Sequence, residues 1–256
     1  MGVCGIIRAM TLPHERRSDG RYTFGAQTGN PSTVQSRGYG DTPDLSVTRS
    51  IRSETGRRSA NQDAAAHFRY GVVVADGMGG LPEGSRAAAA ATRTAAEYLD
   101  GGERFTVADA RDAATLADRA VTGLRDGPGH GPGATVVIAG TSTETGELVG
   151  AWLGDSRAFH VPPSGPIVAL THDHAAPDGK LTRYAGSGES PSTFSVPAHE
   201  GGLVVVCSDG VSGVLSPGRI RTETQGVAPD VATGRLVACA SAAGSTDNLT
   251  AAVIAL

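Results

Sequence analysis

Short apolar runs joined by connectors too brief to hold a helix constrain this chain more than any other feature. The runs are GVVVAD (71–76), ATVVIAG (134–140), LVGAWLGD (148–155), RAFHV (157–161), PIVAL (166–170), LVVVCSD (203–209) and LTAAVIAL (249–256). All are rich in Val, Ile and other strand formers and are bounded by turn residues, which is how buried strands read. Only TSTETGE separates the second run from the third, and only Ser156 separates the third from the fourth. A parallel crossover needs a dozen residues or more, so both pairs of neighbours are expected to run antiparallel to each other.

Three segments carry helical signals. Residues 83–99, EGSRAAAAATRTAAEYL, consist largely of strong helix formers, and 107–126 places Asp109 and Asp112 in its first turn, where acidic groups complement the helix dipole. A third helix is expected from Pro229 to Ala243, opening on proline and stopping before Gly244. Strand pairs interrupted by a helical hairpin imply an α+β domain of sheet and helix layers, not a doubly wound parallel sheet. Residues 1–45 scatter Gly, Ser, Pro, Thr and Arg without apolar periodicity, so the sequence divides into a flexible N-terminal tail over 1–45 and one domain over 46–256.

Several functional classes are disfavoured. A formal charge of −4 and an aromatic content of 4% argue against a nucleic-acid partner. No apolar run approaches the roughly 20 residues a bilayer requires, and the opening MGVCGIIRAM has neither a long apolar stretch nor a cleavage pattern. Cys4, Cys207 and Cys239 are odd in number and at no metal-ligand spacing, so they read as free thiols in a reducing, cytoplasmic setting.

The chemistry lies in the acidic turns. Asp76-Gly77, Asp155-Ser156 and Asp209-Gly210 each close a strand, Asp247-Asn248 precedes the last strand, and Asn61-Gln62-Asp63 precedes the first. One such turn alone is ordinary, because Asp and Gly suit turn geometry. Strand ends of an antiparallel sandwich gather at its rims, however, so the carboxylates can meet in one cleft. Carboxylates within about 6 Å of one another repel and raise their pKa values unless a cation lies between them. All the candidate ligands are hard oxygens, including the Gly77 carbonyl, which favours Mg²⁺ or Mn²⁺ over zinc. A side chain at position 77 would hinder that carbonyl from approaching an ion.

These residues resemble the metal-dependent PPM, or 2C-type, protein phosphatases, in particular their bacterial branch. The matching segments are Arg58-Ser-Ala-Asn-Gln-Asp63, Val74-Ala-Asp-Gly-Met-Gly-Gly80, Gly133-Ala-Thr-Val136, Leu153-Gly-Asp-Ser-Arg157, Leu170-Thr-His-Asp-His174, Cys207-Ser-Asp-Gly210 and Ser245-Thr-Asp-Asn248. They stand in the family's order from about residue 48 to the C-terminus.

The resemblance implies a sandwich of two antiparallel sheets flanked by helical hairpins, a four-layer arrangement with a binuclear metal site at one rim. It implies that Asp76 bridges two Mn²⁺ or Mg²⁺ ions, that Gly77 offers its carbonyl to one, and that Asp209 and Asp247 hold the other. Asp63 would orient metal-bound waters, Arg58 would grip the substrate phosphate, and Asp155 with Asp209 would hold a third, weaker ion. The implied activity is hydrolysis of phosphoserine and phosphothreonine in proteins by direct attack of a metal-bridging hydroxide, opposing a protein kinase, with the protein a monomer. The alternative is a catalytically inactive domain that binds phosphoproteins.

The chain departs from the family's pattern in two places. Many eukaryotic relatives carry a histidine where Met78 stands, which leaves the general acid open. His174 is the first substitute to examine, although an exposed loop histidine accounts better for its place in the sequence. Bacterial relatives usually insert a mobile flap between segments matching Leu170–His174 and Leu181–Gly186, whereas here only Ala175–Lys180 intervenes. That puts the third ion in question, with Asp173 or Asp178 as possible replacement ligands. Cys207 is not expected to be a nucleophile, because no phosphate-binding loop follows it. A nucleotide-binding reading fails because Gly77-Met-Gly79-Gly-Leu-Pro82 ends in proline where the dinucleotide fingerprint requires glycine.

Overall fold

The computed structural model describes residues 48–80, 82–125, 131–199 and 201–256. The expected tail over 1–45, and Cys4 within it, lie outside the described residues. The chain forms β1 (Arg49–Glu54), β2 (Asp63–Phe68), β3 (Gly71–Met78), α1 (Glu83–Asp100), α2 (Val107–Thr122), β4 (Gly133–Ala134), β5 (Val136–Thr141), β6 (Leu148–Leu153) and β7 (Arg157–Val161). It continues through β8 (Val168–Ala169), β9 (Ser192–Val196), β10 (Leu203–Cys207), α3 (Asp209–Ser212), α4 (Pro217–Thr224), α5 (Pro229–Ala242) and β11 (Leu249–Ala255). All strand pairings are antiparallel, giving one sheet in the order β1-β11-β10-β7-β8 and another in the order β2-β3-β5-β6-β9, with β4 on β3. No described helix is long and apolar enough to cross a membrane.

Three apolar layers separate four layers of structure. Val72 and Val74 of β3 meet Val204 and Val206 of β10 between the sheets, together with Trp152 and Ile254. Their neighbours Val73 and Ala75 point the other way, against Ala87, Ala91, Ala95 and Leu99 of α1 and Ala113 and Ala117 of α2. On the second sheet Val205, Cys207 and Val253 pack against Ile220 of α4 and Leu236 and Val237 of α5. A strand covered on both faces has no polar side, so the inner strands read as unbroken apolar runs where a one-sided strand would alternate. The alanine stripe of α1 serves the same packing, because small side chains bring the helix close to its sheet. A capping box starts α2: Thr106 Oγ1 accepts from Asp109 N–H while the Asp109 carboxylate accepts from Thr106 N–H.

The expectation for TSTETGE is met, since β5 and β6 pair across it as a hairpin. The expectation for Ser156 is not. β6 pairs with β5 and β9 in one sheet, whereas β7 pairs with β10 and β8 in the other, so Gly154-Asp155-Ser156 is a corner between sheets, not a hairpin turn. Gly154 makes the corner possible with φ of 106°, and a Cβ there would come within 2.6 Å of the Thr135 side chain.

Candidate metal and phosphate site

The corners and strand ends deliver the acidic residues to one rim. Asp63 opens β2 and stands directly opposite Asp76 of β3 in the antiparallel register. Like charges facing across strands are destabilising, so this pair asks for a compensating partner. Ser208 alone separates β10 from Asp209 at the start of α3, and Asn248 alone separates Asp247 from β11, so both flank strands of the other sheet. Burial, followed by the charges of Asp63 and Asp209 and then of Asp247, pushes the Asp76 carboxyl up to about 10. The protonated Asp76 carboxyl stands beside the Asp209 carboxylate. Burial also raises Asp63 and Asp209, with neighbouring carboxylates adding to the rise and hydrogen bonds partly offsetting it. Asp155, in the corner between β6 and β7, is raised to about 6 by burial and then by Asp209. Asp63, Asp76, Asp209 and Asp247 thus act on one another electrostatically, while Asp155 reaches this group through Asp209 alone.

Arg58 lies at the rim of this cluster in the exposed loop between β1 and β2, and its guanidinium donates to Asp247 Oδ2 at 2.7 Å. Gly77 sits in β3 under the first turn of α1. A Cβ on Gly77 would fall 2.0 Å from the Gly84 carbonyl oxygen, so glycine is required here first by the approach of the helix.

Does the donor set suit a divalent ion? Among the described residues, no group of three or more His, Cys, Asp or Glu side chains already stands as a coordination shell. Two buried carboxylate oxygens, Asp63 Oδ1 and Asp209 Oδ1, nevertheless have no hydrogen-bond donor. A buried charge without a partner is costly, and a cluster of such oxygens with raised pKa values is short of positive charge. Hard oxygen donors with that deficit fit Mg²⁺ or Mn²⁺.

Several supporting residues were missed in the sequence. Ser208 Oγ donates to Asp63 Oδ2 at 2.8 Å. Thr135 Oγ1 accepts from Asp76 N–H at 2.9 Å and bonds Ser156 Oγ at 2.7 Å, which ties the Asp76 turn to the Asp155 corner. Asn248 follows Asp247 and bonds the β1–β2 loop. The only signal available was a Ser, Thr or Asn within each short motif, and such residues are common in turns.

His174 is neither an exposed loop residue nor an available acid. It is 3% exposed, stacked on Trp152 with ring centroids 5.3 Å apart. Gly154 N–H donates to its Nδ1 at 3.2 Å, so Nε2 carries the proton and faces Ser192 Oγ at 3.0 Å. Burial, then Arg183 and His172, lowers its pKa to about 4. An unfolded histidine takes up a proton below about pH 6.5, and the native one resists until about pH 4. Its contribution to stability is therefore complete above pH 6.5 and is lost as the pH falls toward 4. Thermal melts should show the wild-type advantage over His174→Asn to be largest near pH 7 and to shrink by pH 5; an advantage that grows on acidification would contradict this arrangement.

The candidates for a replacement third-ion ligand are engaged elsewhere. Asp173 forms a bidentate pair with Arg157 at 2.6 and 2.8 Å, and Asp178 pairs with Lys180 at 3.3 Å. Residues 175–181 form a tight hairpin, with Ala175 bridged to Leu181 and Ala176 N–H bonded to Lys180 O at 2.8 Å. Cys207 is fully buried, and burial pushes its thiol up to about 12, so it is unsuited to nucleophilic attack.

A family model described as Protein phosphatase 2C matches residues 52–251. Among solved structures, the PPM Ser-Thr phosphatase MsPP from Mycobacterium smegmatis in complex with cacodylate is 25% identical, covering 83% of this chain and 100% of that one with a TM-score of 0.73. The S. agalactiae serine/threonine phosphatase is 25% identical over 81% of this chain and 98% of that one, with a TM-score of 0.72. The catalytic domain of the serine threonine protein phosphatase PstP in complex with two manganese ions shares the fold at 23% identity, over 82% of this chain and 97% of that one, with a TM-score of 0.73. No curated protein sequence matches the chain.

Proposed function

The chain belongs to the protein phosphatase 2C family, and from that premise we propose that it is an active, metal-dependent phosphoprotein phosphatase that hydrolyses phosphoserine and phosphothreonine. The observation that carries this reading is the convergence of Asp63, Asp76, Asp209 and Asp247 from both sheets, with two buried carboxylate oxygens lacking any donor.

In this reading Asp76, the Gly77 carbonyl, Asp209 and Asp247 would be the groups that hold Mn²⁺ or Mg²⁺. Asp155 with Asp209 is the place for a further ion. Divalent ions held by these residues would supply an activated water as nucleophile and positive charge for the phosphoryl oxygens. Asp63, fixed by Ser208 on one oxygen, keeps its other oxygen free to orient water in the cleft. Arg58 presents a planar fork suited to bidentate binding of a phosphate dianion, and it needs only to exchange Asp247 for the substrate. Proton delivery to the leaving oxygen falls to solvent, because Met78 has no proton to give and His174 is buried and neutral. The physiological substrates are phosphorylated proteins made by a Ser/Thr kinase, and a monomeric, cytoplasmic enzyme suits the free Cys207 and Cys239.

The second reading, an inactive domain that binds phosphoproteins, draws on the short hairpin that stands where relatives carry a flap. The intact acidic set speaks against it. Hydrolysis of a phosphoserine peptide should require Mn²⁺ or Mg²⁺, stop on chelation and return on adding metal. Metal-dependent peptide binding without phosphate release would favour the inactive module.

A further inference from the structure

The loop that carries Arg58 has little backbone hydrogen bonding of its own. It runs from Thr55 to Gln62 and crosses from β1 in one sheet to β2 in the other. Residues 56–59 are exposed, and the one backbone hydrogen bond within it among the described residues, Arg58 N–H to Thr55 O, is long at 3.4 Å. A guanidinium on such a segment would sample many positions, and each position lost on binding phosphate costs conformational entropy.

Asn61 Nδ2 to Ser53 Oγ, Gln62 Nε2 to Gly80 O and Ser85 Oγ to Asn61 O tie down the C-terminal end of the loop, but one side chain from outside grips both of its ends. Asn248 is 4% exposed, and its Nδ2 donates to Thr55 O at 2.8 Å and to Ala60 O at 2.9 Å. Its Oδ1 accepts from Gln62 N–H at 2.9 Å. Both amide donors and the acceptor are therefore used, and they grip both ends of the loop. The neighbouring Asp247 is fixed by the same residue, since Asn248 N–H donates to Asp247 Oδ1 at 2.8 Å. The loop rests directly on this strand end: a Cβ on Gly56 would lie 2.0 Å from Asp247 O. Aspartate at 248 would keep the acceptor and lose both donors, and serine would lose the reach, so the primary amide is the group the geometry calls for.

We propose that Asn248 is a positioning residue that sets the phosphate-gripping loop, and so Arg58, in register with the acidic cluster through its three side-chain hydrogen bonds to Thr55, Ala60 and Gln62. The inference rests on the reading of Arg58 as the phosphate ligand. It assigns Asn248 to substrate engagement and not to holding metal.

Steady-state kinetics on a phosphoserine peptide at saturating Mn²⁺ would test it, using wild type, Arg58→Ala, Asn248→Ala and the double variant, with Mn²⁺ affinity measured by calorimetry. Asn248→Ala should raise KM about 10-fold or more, as Arg58→Ala does, with a smaller fall in kcat. Its Mn²⁺ affinity should stay within about 3-fold of wild type, and the double variant should be no worse than Arg58→Ala within about 2-fold, because both changes remove one function. Asn248→Asp should show the same KM defect, and it carries the test if the alanine variant does not fold. A wild-type KM in these variants, or a double variant whose losses multiply, would overturn the role of Asn248 while leaving Arg58 in place. Wild-type kinetics in Arg58→Ala would instead overturn the phosphate reading, and this inference with it.

Discussion

Asp76→Asn should lose Mn²⁺-dependent turnover by at least ~100-fold, yet its metal-free form should melt at a higher temperature than wild type. The activity loss follows from removing the carboxylate at the centre of the cluster, since changing even outer partners of a metal site typically costs about 10- to 100-fold. The stability gain follows from the same position. Without a cation, Asp76 is buried against Asp63, Asp209 and Asp247, and its carboxyl is pushed up to about 10. The native state must therefore either hold a proton that the unfolded chain releases or bury another repelling charge. Asparagine needs no proton, is nearly the same size, and offers an N–H to the adjacent Asp209 carboxylate. Relief of on the order of 1–3 kcal/mol is expected, the scale for a buried polar group that gains a proper partner. Differential scanning calorimetry in a chelating buffer reads one arm and peptide hydrolysis the other. A variant that loses both activity and stability would mean that Asp76 is a structural residue outside any functional cluster.

The same sites show why part of the molecule was legible in the sequence and part was not. β3, β5, β6, β10 and β11 were all visible, since strands buried on both faces must be written in Val, Ile, Ala and Leu. β1, β2 and β9 went unseen, and each is an edge strand. An edge strand pairs on one side only and leaves residues such as Arg52, Ser53 and Thr193 exposed, so RSIRSE and STFSV never form an apolar run. DAAAHF fails for a related reason, because alanine carries little strand preference. The short helix α3 was hidden inside an acidic turn, and α4 has a weakly apolar sequence with only Ile220 and Thr224 buried. Ser156 misled because connector length alone cannot separate a hairpin from a corner; the swing between sheets depends on Gly154 and its contact with Thr135. In the site, Asp76, Asp155 and Asp209 stood out because each closes a hydrophobic run, and Asp63 and Asp247 because each precedes one. Ser208, Thr135 and Asn248 did not, since their importance lies in partners far along the chain.

Gly210→Ala tests how tightly that site is built, and a methyl group is expected to reduce turnover by roughly 100-fold, the scale for a displacement of about 1 Å among catalytic groups. Gly210 follows Asp209 at the start of α3, with an ordinary backbone conformation, so the obstacle is space alone. A Cβ there would sit 1.9 Å from the Asn248 carbonyl oxygen and 3.2 Å from Asp247 Cβ. The strand end cannot easily retreat, because the Asn248 side chain is bonded to Thr55, Ala60 and Gln62. Movement must then come from α3, which carries Asp209 away from Asp247 and Asp76. Forcing a methyl into packed backbone costs about 1–3 kcal/mol, so the melting temperature should fall together with Mn²⁺ affinity. Gly218→Ala in α4 is the control: nothing lies within 4 Å of its Cβ, and alanine there should leave turnover unchanged while stabilising the helix by up to ~1 kcal/mol. Full activity in Gly210→Ala would show that Asp209 and Asp247 tolerate separation, and a binuclear centre spanning α3 and the start of β11 would then be untenable.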